Sequence, residues 1–288
     1  MSNKSPKENF LPISAYLPCY NNESTILRAI ESLRSQTVPI SELFVVDDCS
    51  TDQSVEIAKA AGVRVIANTS NKGRGAIRAQ AMMEASHELV LGCDAGVVLS
   101  PNFIERALSW MDDDKVAGVQ GHVVQPPPKT AVERWRGRHL FKVDAFVAVC
   151  ERALLTTAGC LLRKSSVLSC GNYRKELRHG EDKDLGARLL AADYKVIIDP
   201  TIRITDISQN DFLKVLERYS RWHANQTRPL NLREYARLVS YSIKVMAASD
   251  IRAGDITAAA ISLCCPHFQF WRSHLDKERA RIDFRPLQ

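Results

Sequence analysis

The sequence lacks the signatures of several large protein classes, and each absence narrows the field. Its longest apolar stretch, near Ile256 to Pro266, falls well short of the about 18 residues that a membrane-spanning helix needs, so no transmembrane helix is expected. The first ten residues, MSNKSPKENF, have no apolar core of the kind a secretory signal carries. No CxxC pair occurs: Cys19, Cys49, Cys93, Cys150, Cys160 and Cys170 are scattered, and only Cys264 and Cys265 are adjacent. Zinc and a disulfide framework are therefore not expected, and reduced thiols in a cytoplasmic protein are. The phosphate-binding patterns GxxxxGK[ST] and GxGxxG are both missing, as are repeats and low-complexity tracts.

What remains is the composition of a folded protein. With 45% hydrophobic and 25% charged residues in 288, disorder is excluded as the main state. The formal charge of +6 suits an anionic partner. From residue 13, short apolar runs alternate with amphipathic stretches, the pattern of βαβ units around a parallel sheet. The spacing predicts strands near 13–18, 42–47, 63–67 and 88–93. Ile26, Leu27, Ile30 and Leu33 recur at helical spacing. Ser50 with Gln53 reads as a capping box, and Ser100 with Pro101 as the cap and first residue of a helix carrying Phe103, Ala107 and Leu108. Pro126-Pro127-Pro128 ends the regular alternation and marks a subdomain boundary. Beyond it, a helix from about 131 carries Arg134, Arg136, Arg138 and His139, either a solvated face or a contact for an anionic acceptor. The stretch from about 231 to 272 is helix-prone and fairly apolar, broken by Lys244, Asp250, Arg252 and Asp255. It is expected either to pack on the rest of the protein or to rest on a membrane surface, at its inner face.

Ligands of open α/β sheets bind beyond the carboxyl ends of the strands, and here those ends are polar. The first runs into Pro18-Cys19-Tyr20-Asn21-Asn22-Glu23, the second into Asp47-Asp48-Cys49-Ser50, the third into Asn68 through Gly75, and the fourth into Asp94-Ala95-Gly96. Two adjacent carboxylates, Asp47 and Asp48, repel each other. A base or ribose to hydrogen-bond, or a cation, would account for them, and so would capping by Asp47 together with Ser50. Asn71-Lys72-Gly73-Arg74-Gly75 combines glycines that permit close backbone approach with cations suited to phosphate, ahead of a helix N-terminus that favours anions.

The series PCYNNE, SLRSQ, ELFVVDDCSTD, NKGRGAIRA, LGCDAG, SPNF, GEDKDLGARLLAADYKV and RYSRW, spread over residues 11 to 225, resembles the family 2 glycosyltransferases of the GT-A fold. The resemblance implies a mainly parallel Rossmann-like sheet flanked by helices, with a C-terminal helical extension. It divides the chain into a tail at 1–10, a catalytic domain at 11–228 (a nucleotide-sugar half at 11–125 and an acceptor half at 126–228) and the extension at 229–288. The implied activity is inverting transfer of a sugar from a nucleotide-diphosphate donor to a saccharide or lipid-linked saccharide in polysaccharide synthesis, with no nucleic-acid partner. It also implies that Pro18, Tyr20 and Glu23 line the base and ribose pocket with Asp47, Asn71 and Gly73 close by, that Asp48 reads the base edge, and that Arg78 approaches the diphosphate. Asp94 lies beside ribose and metal, and Glu181-Asp182 corresponds to the family's ED pair, with Asp182 as general base. Arg221 and Trp222 face the diphosphate or acceptor.

At Gly96 the family's DxD motif would have its second aspartate. A single carboxylate with substrate phosphates can hold manganese or magnesium, with His223 as a candidate further ligand. Alternatively Lys72, Arg74, Arg78 and Arg221 neutralise the diphosphate without a tightly held metal. A catalytically inactive nucleotide-binding relative acting as a scaffold is the competing reading. A receiver-type signalling domain would need its acidic pair at the end of the first strand, and a nucleotidyltransferase would need a glycine-rich loop there, which PCYNNE is not.

Overall fold

In the computed structural model, residues 11–142, 148–223 and 228–282 are described, without the side chains of 222–223 and 276–282. The expected tail at 1–10 lies outside the described residues. The chain divides into two compact units, Met1–Val124 with Phe146–Ser208, and Gln125–Ala145 with Gln209–Gln288. The second unit begins just before the triple proline, but the division does not follow the expected boundary at 228: the segment at 125–145 groups with the C-terminal helices.

The first unit is built on one eight-stranded sheet. Its strands are β1 (Ile13–Cys19), β2 (Glu42–Asp47), β3 (Arg64–Ala67), β4 (Leu89–Cys93), β5 (Val97–Leu99), β6 (Val116–Val124), β7 (Gly159–Arg163) and β8 (Lys195–Asp206). Their spatial order is β3-β2-β1-β4-β7-β6-β8-β5. The β3-β2-β1-β4 half is parallel throughout, as expected. β7 then enters antiparallel between β4 and β6, and β5 pairs antiparallel with β8, while β6 and β8 pair parallel, so the parallel pairings prevail in a mixed sheet. Strand order reverses direction between β1 and β4, the switch point beyond which ligands of such sheets bind.

Both faces of the sheet are covered, and the strand residues sort by the two-residue period. On one side Ile13, Ala15 and Leu17 of β1 join Leu89 and Leu91 of β4 in a core closed by Ile26, Ala29 and Ile30 of α1 (Ile26–Arg34) and by Phe103 and Ile104. On the other, Tyr16, Phe44 and Val46 pack with Ile77 and Met82 of α3 (Arg74–Glu84). The remaining helices of this unit among the described residues are α2 (Ser54–Ala60), α4 (Phe103–Leu108), α6 (Lys164–Ser169) and α7 (Glu181–Ala191).

Two helix starts differ from expectation. No capping box forms between Ser50 and Gln53: the Ser50 hydroxyl donates to Asp47 Oδ1, and α2 starts at Ser54 behind Gln53. Likewise Ser100 and Pro101 precede a turn in which the Phe103 N–H donates to the Ser100 carbonyl, and α4 begins two residues later behind Asn102.

The second unit holds α5 (Ala131–Arg136), a π-helical turn at Gly137–Phe141, α8 (Phe212–His223), α9 (Leu232–Tyr241), a second π-helical segment at Ser242–Ala247, α10 (Ala248–Arg252) and α11 (Ile256–Ile282). Trp135, fully buried, centres its core with Leu216, Met246 and Ile261. The cationic run expected on an outer face turns inward instead. Arg134 forms a two-point ion pair with Asp255, while Arg138 and His139 both meet the fully buried Asp250. Asp250 also accepts from Ser262 Oγ, which in turn accepts from Trp135 Nε1. No helix among the described residues is long and apolar enough to cross a membrane.

Gly75, in the first turn of α3, donates its N–H to the Leu177 carbonyl, and a Cβ there would stand 2.2 Å from the Arg174 carbonyl oxygen and 2.5 Å from that of Leu177. Backbone cannot swing aside as a side chain can, so Gly75→Ala is expected to destabilise the fold by about 1–3 kcal/mol. Denaturant unfolding checks this; an unchanged midpoint would mean that the 174–177 loop yields freely.

Candidate active site

The carboxyl ends of β1, β2 and β4 open on one edge of the first unit's sheet. Beyond β1, Tyr20 is half exposed and Asn21 takes a left-handed conformation with φ 53°. The loop is pinned to the start of α2: Asn21 N–H donates to Ser50 Oγ, Asn22 N–H to Ser54 Oγ, Glu23 N–H to Asp52, and Glu23 in return accepts from Gln53 N–H. Tyr20 and Glu23 thus lie in one loop at the carboxyl end of β1, whose last residues include Pro18.

The two aspartates ending β2 separate into different tasks. Asp47 is buried and both its oxygens accept from Ser50, hydroxyl and N–H. It closes the turn at 47–50 and caps no helix, since α2 starts only at Ser54 behind Gln53. Asp48, also buried, accepts from the N–H groups of Lys72 (2.6 Å) and Gly73 (2.9 Å), one per oxygen. Asn71 adds a bond to the Asp48 carbonyl and is itself held by Arg178. Asp48 therefore fixes the 71–73 loop beside the β1 mouth. The glycines of that loop serve the protein's own backbone: Gly73, with φ 88°, lies against Arg178, and Gly75 against the 174–177 loop.

The Arg78 side chain is only 2% exposed and is turned into the protein. Its Nε donates to Glu181 Oε1 at 3.0 Å, an NH2 group to Asp94 Oδ1 at 2.6 Å, and its other terminal nitrogen points at the Thr157 carbonyl at 3.5 Å. Burial alone would favour the neutral guanidine, but the charges of Asp94 and Glu181 overrule it and keep the group cationic. Tyr16 and Tyr173 share this buried pocket, and burial raises both phenols so that they stay protonated. Gly92 leaves room for the Tyr16 hydroxyl, which would lie 2.9 Å from a Cβ there.

The consequence is an asymmetric acidic pair at the start of α7, behind Gly180 in the left-handed region. The Glu181 side chain is 3% exposed and committed to Arg78. Asp182 is half-buried, and its Oδ1 accepts only from the N–H of Lys183 among the described residues. Burial first, then the neighbouring Glu181 charge, raise the Asp182 carboxyl above the usual carboxylate range, against the pull of Arg78 and the Lys183 N–H. Asp94 is one-third exposed and keeps Oδ2 without a hydrogen-bond partner among the described residues.

A cation at this edge would meet few protein ligands. No group of three or more His, Cys, Asp or Glu side chains among the described residues is placed to hold a metal ion together, and Gly96 packs on Ser208, whose hydroxyl would lie 2.6 Å from a Cβ there. Asp94 Oδ2 is a hard oxygen donor suited to magnesium or manganese, with donor phosphates supplying further ligands. The donor set fits a substrate-bridged cation. Arg221, Trp222 and His223 close α8 of the second unit; the side chains of Trp222 and His223 lie outside the described residues.

An α/β fold with a mixed sheet, helices on both faces, and carboxylates gathered beyond β1, β2 and β4 is that of the GT-A glycosyltransferases. Comparison with solved structures agrees: a mannosyltransferase from Pyrobaculum calidifontis, solved with GDP-Man and Mn2+, superposes with a TM-score of 0.59 over 93% of this chain and 91% of its own, at 15% identity. More specifically, residues 14–171, over half of the chain, match the profile described as Glycosyl transferase family 2, and the chain belongs to that family. Hyaluronan synthase of Streptococcus pyogenes is 27% identical over 122 residues, covering 38% of this chain and 29% of the synthase. A protein of Escherichia coli (strain K12), provisionally named a colanic acid biosynthesis glycosyl transferase, is 36% identical over 95 residues, covering 31% of this chain and 34% of its own. The chain thus spans about a third of the length of these curated relatives.

Sequence reasoning missed Tyr16, Thr157, Tyr173 and Arg178, which sit within apolar or loop stretches that carry no motif. The raised carboxyl of Asp182 has a measurable cost. Between the unfolded carboxylate value, about 3.9, and its higher folded value, the folded protein binds more protons, so this group lowers stability as pH rises through that window. Asp182→Asn is therefore expected to raise the unfolding temperature at pH 7 and to bring no gain near pH 3 (about where both states are protonated). Thermal unfolding at the two pH values checks it, and no gain at pH 7 would contradict the assignment.

Proposed function

We propose that the protein is an inverting glycosyltransferase in which Asp182 takes the proton of the acceptor hydroxyl as that oxygen attacks the anomeric carbon of a nucleotide-diphosphate sugar. The new C–O bond forms as the bond to the diphosphate breaks, the electron pair leaving with the nucleoside diphosphate and the proton passing to Asp182. One displacement inverts the anomeric centre. The observation that carries this reading is the divided pair at α7: Glu181 is spent on Arg78, while Asp182 stays open with a raised carboxyl, a stronger base than an ordinary carboxylate.

The donor sits beyond β1 and β2. Tyr20 gives a half-exposed ring on which a base can stack, with Pro18 and Glu23 flanking it. Asp48, each oxygen having accepted one N–H from the 72–73 backbone, retains lone pairs for a base edge, beside Asn71 and Gly73. Asp94, steadied by Arg78, faces ribose and diphosphate. Asp94 would hold a divalent cation, which would supply charge neutralisation at the leaving group. Lys72 and Arg74, both exposed, supply charge for the phosphates. The acceptor is a saccharide or lipid-linked saccharide, in line with relatives named for polysaccharide synthesis. An intact, tuned Asp182 favours this enzyme over an inactive scaffold.

The purified protein is expected to be stabilised by one member of a panel of nucleotide sugars, with manganese present, and to turn it over. Asp182→Asn is expected to lower turnover by about 10²–10⁴-fold while donor binding, by calorimetry, is retained. Turnover at the parental rate would remove Asp182 as the base, and binding of no nucleotide sugar would remove the transferase reading.

A further inference from the structure

The helices of the second unit carry an apolar surface on their outward side that needs a partner. In α11 the inward residues Ala258, Ile261, Cys265 and Gln269 are at most 5% exposed. Facing away from them, at intervals of seven, eight and four residues, stand Ile256 (78% exposed), Leu263 (44%), Trp271 (67%) and Leu275 (54%). A surface helix should be polar on its open face; one that is apolar all round is normally buried. This stripe runs for about 28 Å at the rise of an α-helix. The run from α9 to α10, packed in the same unit, adds Leu232 (75%), Ile243 (52%) and Ile251 (62%), with Tyr241 also half exposed.

The charges in this stretch select the partner. Residues 232–275 contain three carboxylates, Glu234, Asp250 and Asp255, and each is ion-paired, with Arg228, Arg138 and Arg134 in turn, Asp250 also sharing a hydrogen bond with His139. Asp250 and Asp255 are also buried. Four of the five cations of the same stretch go the other way, Arg233, Arg237, Lys244 and Arg252 being exposed while Arg272 is half-buried. The open surface of this stretch is thus apolar and cationic, its carboxylates neutralised from within the unit. A second copy docking through the same patch would set like charges against one another. An anionic bilayer offers both complements, with apolar depth for Ile256, Leu263 and Leu275 and negative headgroups for the cations. Trp271 and Tyr241 are the amphipathic rings that settle at such an interface.

We propose that the outward face of α9, α10 and α11 is a docking surface for an anionic membrane, holding the protein at the bilayer without crossing it. The proposal stands independently of the glycosyl-transfer reading, since it rests on the second unit alone.

The test is co-sedimentation of the full chain with vesicles of phosphatidylcholine alone and of phosphatidylcholine with phosphatidylglycerol at 7:3. Binding is expected to the anionic vesicles only and to fall as salt rises. Neutralising two cations, Lys244→Ser with Arg252→Ser, is expected to weaken it roughly thirtyfold, at about a factor of five per cation. Ile256→Asn with Trp271→Ser is expected to weaken it by a similar factor. All four positions are exposed, so the fold is expected to hold, and the circular dichroism of each variant serves as the control. Equal sedimentation with both vesicle types, none with either, or parental binding by both variants would overturn the proposal. So would a dimer in sedimentation velocity that the Ile256→Asn, Trp271→Ser variant abolishes, which would assign the face to a second copy.

Discussion

The first unit's site hangs on one buried cation. Arg78 reaches from α3 to the end of β4 through Asp94 and to the start of α7 through Glu181. Taking a guanidinium and a carboxylate out of water costs several kcal/mol each, so the arrangement persists only because each charge answers another. Removing Arg78 would leave Glu181 buried and uncompensated, a loss on the order of 3–5 kcal/mol. The same contact ties together three elements far apart in the chain, which is why the strand end at 94 and the helix start at 181 can act as one site.

That clamp also decides which acid is available. With Glu181 absorbed by Arg78, the α7 terminus offers one free carboxylate, and the nearby Glu181 charge together with burial raises it. At the ends of β1 and β2 the same economy holds: Asp47 closes its own turn, and Asp48 holds the 71–73 loop through two backbone N–H groups. These side chains are held in place by the protein's own groups.

The parallel half of the sheet was legible because β1, β2 and β4 are apolar runs bounded by turn residues, and the structure places them within a residue of the expected bounds. The antiparallel entry of β7 was not, since GCLLR carries no signal of direction and follows the triple proline, where the alternation breaks. Helix starts failed at Ser50 and Ser100 because a serine hydroxyl has local rivals; Asp47 outcompetes the helix for the first. The role of Arg78 was hidden for a different reason. Its partner Glu181 lies 103 residues away, and nothing in NKGRGAIRA distinguishes an arginine that meets phosphate from one that is buried. The inward turn of Arg134, Arg138 and His139 was hidden in the same way, behind the distant Asp250 and Asp255.

The central claim is that Glu181, held by Arg78, tunes Asp182 as the base. The pH dependence of sugar transfer by the parent and by Glu181→Gln tests it most directly, because glutamine can still accept from Arg78 Nε but carries no charge. Activity should fall on the acid side as Asp182 takes up a proton, and in Glu181→Gln that fall should move to lower pH, since a neighbouring negative charge that raises the carboxyl has gone. An acid limb at the same pH in both proteins would contradict the account.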